Sequence, residues 1–288
     1  MRNIIPILTI LSAILAIWYG SAVKMNSQWT LAQAKRNGVE LSFSEIVADT
    51  MDQERARLPA PHQVAVELWK TTVQKKITSK RSLIFHGWVT LNATLWGFAL
   101  GASIGLILAI AIVYARVMEM GVMPWAIISQ TIPIVAIAPM IIVLMNAVGV
   151  QERLVPKAII SAYLCFFPIL VGMVKGLRAP DLMQLDLMKT YNASSGQSFW
   201  KLRLPSSMPY LFTSMKIGIA AALVGTIVGE LPTGALRGLG ARILIGDQFG
   251  PPIRIWSALI AAAILAGALV AFVGLIQRIT LKRMGMAQ

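Results

Sequence analysis

Residues Asp186–Pro205 read DLMKTYNASSGQSFWKLRLP, a polar and basic island in an apolar chain. Of the 288 residues, 57% are hydrophobic and 13% are charged. A soluble domain is about 45–50% apolar and about 25% charged. The chain therefore reads as an all-α integral membrane protein. What decides its fold is why a bilayer protein holds residues 175–209 out of lipid.

The island carries the marks of two short helices. Pro180 and Asp181 suit a first turn, and Leu182, Leu185, Leu187 and Met188 give it a partly apolar face. NASSG then interrupts. Asparagine enters the left-handed conformation more readily than most residues, so Asn192 can end a helix as glycine does. Ser194 or Ser195 can cap a second helix over Gly196–Leu204. Phe199, Trp200, Leu202 and Leu204 form its apolar side, and Pro205 is expected to stop it. The product is a compact knob.

On either side lie apolar runs. A helical span needs about 20 mostly apolar residues. Six runs qualify: Ile4–Val23, Trp88–Val113, one within Gly121–Val150, Ala158–Val174, Tyr210–Leu231 and Ile255–Ile279. The first is too long for a signal h-region and reads as a retained helix, although YGSAVK leaves cleavage open. The third run holds no charge and is punctuated by Pro124, Pro133 and Pro139. It reads as one broken or tilted span, bent either for packing or to line a pathway.

Six spans put both termini on one side. Lys175, Arg178, Lys189, Lys201 and Arg203 in the island share that side with Arg2, Arg116 and the tail cations Arg278, Lys282 and Arg283. The positive-inside rule makes it the cytoplasm. Residues 24–87 then lie outside, despite ten Lys or Arg against six Asp or Glu; the rule is weak for loops of that length. The division expected is a first helix over 1–23, an extracytoplasmic loop over 24–87, a core over 88–279 with a cytoplasmic loop at 175–209, and a cytoplasmic tail over 280–288. In the outer loop, Pro59 and Pro61 set a turn before a short amphipathic helix. Val64, Val66, Leu68 and Trp69 of that helix could lie on the membrane surface.

Small residues recur in two spans. Gly97, Gly101 and Gly105 align on one face of the second, and Gly225 and Gly229 on the fifth. Such faces let helices approach closely, for ordinary packing or for a sliding contact. Candidate pathway groups are Ser129, Gln130, Thr131 and Asn146 in the broken span and Glu230 at the outer end of the fifth. Glu230 is an outer gate, or a contact of the LPTGALRGLG turn that follows, or an interfacial carboxylate facing water. Cys165 is the lone cysteine, in an apolar run. His62 and His86 stand apart from each other, so no metal site is read. The net charge of +14 is assigned to membrane topology rather than to nucleic acid.

The island resembles the EAA loop of ABC-transporter permeases: Glu-Ala-Ala, three residues, Gly, nine residues, Ile, one residue, Leu-Pro. Asp186 stands at the Glu position, Leu187 and Met188 at the alanines, Asn192 at the glycine, Leu202 at the isoleucine, and Leu204-Pro205 at the terminal pair. LPAPHQVAVELW is similar to the Leu-Pro-x-Pro lead-in of nitrate, sulfonate and taurine permeases, and QTIPIVAIAPMIIVLMNAVGV to their proline-rich span. The resemblance covers most of Leu58–Ile279. It implies the type I ABC importer (MetI-like) architecture in a bacterial inner membrane, working as a dimer. The knob would dock on a cytoplasmic ATPase, in two copies, while a binding protein delivers a small solute outside. That solute would be an anion such as nitrate or a sulfonate, or a small heterocycle such as a pyrimidine or riboflavin.

No phosphate-binding string G-x-x-x-x-G-K-[ST] occurs. ATP would therefore be bound by a separate subunit, and this chain is expected to hold no cofactor and to be no enzyme. An ion-coupled carrier or channel is the alternative. It would show mid-membrane ionisable groups or inverted repeats.

Overall fold

The computed structural model describes residues 4–53, 55–150, 152–232 and 237–286. Arg2 and residues 233–236 of the turn after Glu230 lie outside them. All regular elements among the described residues are helical: α1 Ile4–Asn37, α2 Phe43–Asp52, α3 Pro61–Thr72, α4 Leu83–Tyr114, α5 Arg116–Ser129, α6 Ile134–Ala147, α7 Leu154–Leu177, α8 Leu182–Thr190, α9 Ser195–Ser198, a π-helical turn Phe199–Arg203, α10 Leu204–Glu230, α11 Leu239–Phe249 and α12 Ile253–Arg283. Five helices are long and apolar enough to cross a membrane: Ile5–Asn37, Leu83–Tyr114, Leu154–Leu177, Ser195–Glu230 and Ile253–Arg283. The pair α5–α6 is apolar enough only when taken together and is bent by 103°, the form of a broken sixth span or of a re-entrant loop. The protein is a helical, multi-span membrane protein.

Chemistry explains the bend. Pro133 has no N–H to give and disfavours the helical conformation in Ile132, so it becomes the N-cap of α6. Helix α5 closes instead with tight bonds, Gln130 N–H to Ile127 O at 3.1 Å and Thr131 N–H to Ile128 O at 3.0 Å. The Tyr163 hydroxyl donates to the freed carbonyl of Ser129. In lipid, such a break persists only when its polar groups are satisfied in this way.

Three local expectations need correction. Arg116, read as part of a turn, is the first residue of α5, and Ala115 alone separates it from α4. Residues 24–87 are not a loop with one short helix: α1 runs on to Asn37, and α2 precedes α3. Pro205 does not stop a helix, because Ser195–Glu230 is continuous. A proline here cannot donate to the Lys201 carbonyl and its ring crowds that group. The π turn just ahead, in which Leu204 N–H reaches back to Phe199 O, widens the helix and relieves the clash.

The chain divides into two compact units. In the unit of residues 4–87 and 237–262, α1 clamps the LPAP turn, in which Pro59 lies outside any helix and Pro61 opens α3. Asn26 Nδ2 donates to Leu58 O at 3.0 Å, and Trp18 Nε1 to Pro59 O at 3.0 Å. Thr30 Oγ1 donates to Asp49 Oδ2 at 2.7 Å and ties α2 to α1. Helix α3 buries Val64 at 1% exposure, contrary to a surface role, while Val66 and Trp69 stay exposed. At 3.6 residues per turn, positions 64, 68 and 71 share one face and 66, 69 and 73 the other.

In the unit of residues 88–232 and 263–286, α7 lies between α4 and α10. A Cβ on Gly97 would collide with Ser161, and one on Gly101 with Cys165 Sγ; one on Gly105 would sit 2.7 Å from Phe166 O. On the other side, a Cβ on Gly225 would meet Ser161 Cα at 2.9 Å, and one on Gly229 would meet Ile160 Cδ1 at 3.1 Å. Leu170, Met173 and Leu177 of α7 are fully or almost fully buried and join Ala109 and Ile112 of α4 in one core. A second core unites Phe212, Ile219 and Leu223 of α10 with Leu269 and Val273 of α12.

We expect Gly101→Val to lower the thermal midpoint of the detergent-solubilised protein, because overpacking of this kind costs about 1–3 kcal/mol. Gly267→Ala, with nothing within 4 Å of the added methyl, should leave the midpoint unchanged or raise it. Equal midpoints for Gly101→Val and wild type would refute the close approach.

Candidate functional site

The island folds as a helix–joint–helix knob. Asp181 N-caps α8, and its N–H is met by Gln184 Oε1 at 3.2 Å. At the far end Asn192 takes φ 49°, the left-handed conformation expected from its type. Asn192 N–H bonds Lys189 O at 2.8 Å and Ala193 N–H bonds Met188 O at 2.9 Å. Those two bonds are a Schellman stop with asparagine in the usual glycine position. Ser194 then caps α9: Gln197 N–H donates to its Oγ at 3.2 Å, and Ser194 N–H donates to Gln197 Oε1 at 2.9 Å. Gly196 lies in this exposed first turn.

The knob has two faces. Leu185 and Met188 of α8 and Leu202 and Leu204 beyond the joint are half-buried, and Phe199 and Leu204 pack on the core shared by α4 and α7. Outward stand Leu182 at 80%, Met183 at 84%, Leu187 at 54%, Tyr191 at 76% and Trp200 at 68% exposure. Met183, Leu187 and Tyr191 follow at helical spacing and form a stripe. Sequence reading found Leu187 but not Met183 or Tyr191. The Asp186 carboxylate pairs with Lys189, at 2.8 Å on the open surface, a pair of little energetic consequence.

Two links hold the knob to the spans. Arg178 grips Glu119 of α5 with two nitrogens, Nη1 to Oε1 at 2.9 Å and Nη2 to Oε2 at 2.8 Å. That hydrogen bond raises the Arg178 pKa above its ordinary value. Arg203 Nη1 donates to Leu177 O at 2.9 Å, closing the end of α7.

At the opposite end of α10 lies a buried polar clasp. Glu230 is 0% exposed and Lys157 of α7 is 4% exposed. Lys157 Nζ stands 3.3 Å from Glu230 Oε1. Thr90 Oγ1 of α4 lies 3.0 Å and 3.1 Å from the two carboxylate oxygens. One turn further in, Thr94 and Thr226 hydroxyls meet at 3.0 Å. Glu230 is thus not the water-facing carboxylate that its place at a span end had allowed. It joins three helices, since a buried carboxylate needs a cation and donors around it. The sequence reading did not single out Lys157, which stands just before the fourth apolar run. Consecutive spans run antiparallel, however, so the start of the fourth and the end of the fifth lie at one level, and that rule could have found the pair.

The broken-span residues do not join this clasp. Ser129 Oγ donates to Ala126 O and Thr131 Oγ1 to Ile128 O, both at 2.8 Å, and Gln130 Nε2 donates to Ser129 Oγ at 3.2 Å. They satisfy the backbone at the bend. Asn146 is exposed near the far end of α6, about 18 Å along that helix from its first residue Ile134. The described residues contain no metal-binding group of His, Cys, Asp or Glu.

A bent span, glycine-bedded helices and a helical knob continuous with the next span define a membrane transport subunit. The family described as binding-protein-dependent transport system inner membrane component matches residues 101–286. The chain belongs to that family and is an ABC importer permease of the type I fold. It is similar to a probable ABC transporter permease of Haemophilus influenzae, 32% identical over 70% of this chain and 77% of the relative. It is likewise similar to the formylaminopyrimidine transport permease ThiX of Halalkalibacterium halodurans, at 32% over 68% and 74%. The riboflavin transport system permease RibX of Chloroflexus aurantiacus is 32% identical over 78% of this chain and 80% of its own length. Members of the family are transport subunits, not enzymes, and work with separate ATPase and binding-protein subunits. Family membership replaces the alternative of an ion-coupled carrier or channel.

The clasp makes a clear expectation. Removing one partner of a buried ion pair costs about 3–5 kcal/mol, whereas replacing both by apolar groups is near neutral. Lys157→Met and Glu230→Leu should each lower the thermal midpoint sharply, and the double variant should recover most of the loss. Additive losses in the double variant would show that the two groups do not depend on each other.

Proposed function

We propose that this chain forms a homodimeric import pathway, driven by two copies of an ATPase docked on the knob. The coupling loop comprises Asp186, Leu187, Met188, Asn192, Gly196, Leu202, Leu204 and Pro205; within it Leu187, flanked by Met183 and Tyr191, faces outward to dock, while Met188, Leu202 and Leu204 are half-buried on the inner face. One observation carries the reading: the exposed stripe of α8 is joined through a rigid asparagine stop to a helix that runs unbroken over Ser195–Glu230. At 1.5 Å per residue that helix is roughly 54 Å long. A push on the knob is therefore delivered along one rod to the clasp at Glu230.

The knob faces the cytoplasm and both termini lie there, in a bacterial inner membrane. The cations at 175–209 and at the end of α12 support that orientation. A binding protein delivers cargo on the opposite face. The exposed apolar surface of α5 and α6, with Trp125 at 73% and Met140 at 70%, suits a second permease copy. The cargo is a small heterocycle. Two of the relatives described above are named for a pyrimidine and for riboflavin, and the buried cation Lys157 is committed to Glu230 rather than to a solute. A small anion such as nitrate or a sulfonate is the second reading, favoured by the proline-rich third span.

The joint can be tested directly. Proline fixes φ near about −65°, which Asn192 cannot adopt and still keep the stop. In proteoliposomes with the cognate ATPase and binding protein, Asn192→Pro should abolish binding-protein-stimulated ATP hydrolysis while the spans still assemble. Asn192→Gly, which keeps positive φ accessible, should retain it. Full stimulation in Asn192→Pro would overturn the reading.

A further inference from the structure

We propose that a cavity in the unit of residues 4–87 and 237–262 is a binding site for a phosphate-type oxyanion. Its volume is about 600 Å3, and it is bounded by α3, the segment leading into α4, α11 and the first turn of α12. Six cationic side chains line it, Lys70, Lys75, Lys80, Arg81, Arg242 and Arg254, against the single carboxylate of Glu67. Such an imbalance in a concave space concentrates positive potential where a small anion can enter.

Arg242 forms the floor. Its side chain is 13% exposed. Nη1 donates to Arg81 O at 3.1 Å, and Nη2 lies 3.8 Å from Glu67 Oε1, too far for a strong bond. Its Nε is buried with no acceptor among the described residues. Buried donors are nearly always paired, and one left over calls for a ligand, ion or water. Burial lowers the Arg242 pKa from its ordinary value; Glu67 opposes the shift and Arg254 adds to it. The guanidinium is thus held in a place short of negative charge. Its planar fork matches the spacing of phosphate oxygens.

His86 is not part of the ligand set. Its Nδ1 accepts from Gly238 N–H at 3.0 Å, so Nε2 carries the proton and donates to Lys80 O at 3.0 Å. The ring pins Lys80 and Arg81 beside the first turn of α11, which builds the cavity wall rather than filling the cavity.

The surroundings suggest the supply. On α3, the face that adjoins Lys70 exposes Val66 at 49% and Trp69 at 61%, with Val73 just beyond the helix at 58%. An apolar stripe of this kind with cations beside it is how a helix lies in a lipid interface. Headgroup phosphates of anionic lipid are then the local source, and free phosphate is the other source with the same chemistry.

The full-length protein in a phosphate-free sugar detergent separates the two. One arm titrates inorganic phosphate by calorimetry at low ionic strength. The other titrates phosphatidylglycerol in mixed micelles and follows the thermal midpoint. Saturable binding is expected in at least one arm, and the tighter arm names the source. Lys75→Gln/Lys80→Gln alters only exposed side chains and should keep the ligand-free midpoint. It should weaken binding by about thirtyfold, the loss expected for two cations near an anionic group. Arg242→Gln should abolish binding. Absence of saturable binding in both arms, or binding that the double substitution leaves unchanged, overturns the proposal.

Discussion

Everything in the spanning part of this permease rests on how closely α7 is held by its neighbours. Lipid supplies no hydrophobic force to bring two apolar helices together, so contact has to come from close packing and from buried polar bonds. Both are present. Glycines on α4 and on α10 leave out the side chains that would keep α7 away, and Ser161 of α7 donates to Ala222 O of α10 at 2.8 Å across the gap. Where the three helices end, Lys157, Glu230 and Thr90 close the bundle with charge and hydroxyl rather than with bulk.

That construction has a mechanical consequence. A helix bedded on glycine and pinned at its end cannot bend locally without losing many contacts together, so it moves as a unit. Helix α10 continues through the π turn into the knob, and Arg178–Glu119 and Arg203–Leu177 tie the knob to α5 and α7. Rigid-body motion of packed elements about a small number of joints is a common way to switch access. The bend between α5 and α6, with its polar groups locally satisfied, interrupts this pair where the five long helices run on.

Much of the architecture was legible in the sequence. Apolar length marked the five long spans and the bent α5–α6 pair, and the helix stop at Asn192 followed from the tolerance of asparagine for positive φ. Ser194 and Ser195 were both candidate caps, and the bonds between Ser194 and Gln197 select Ser194. What could not be read depended on partners distant in the chain. The burial of Glu230 needed Lys157 and Thr90, and nothing near residue 230 names either. Pro205 misled because its usual effect was absorbed by a π turn that no residue type marks. The region of residues 24–87 was the least legible. Its mixed charge hid two further stretches of helix, and an alternation of apolar residues on α3 concealed that Val64 faces inward while Val66 faces out.

The central claim is that the stripe on α8 is the surface on which the cytoplasmic motor acts. Photocrosslinking reads this most directly, with benzoylphenylalanine placed at Met183 or Tyr191 in cells that carry the whole transporter. The account predicts an adduct with the ATPase subunit from both positions, and none from Trp69. Adducts only with the binding protein, or labelling of position 183 by a membrane-impermeant reagent added outside intact cells, would contradict it.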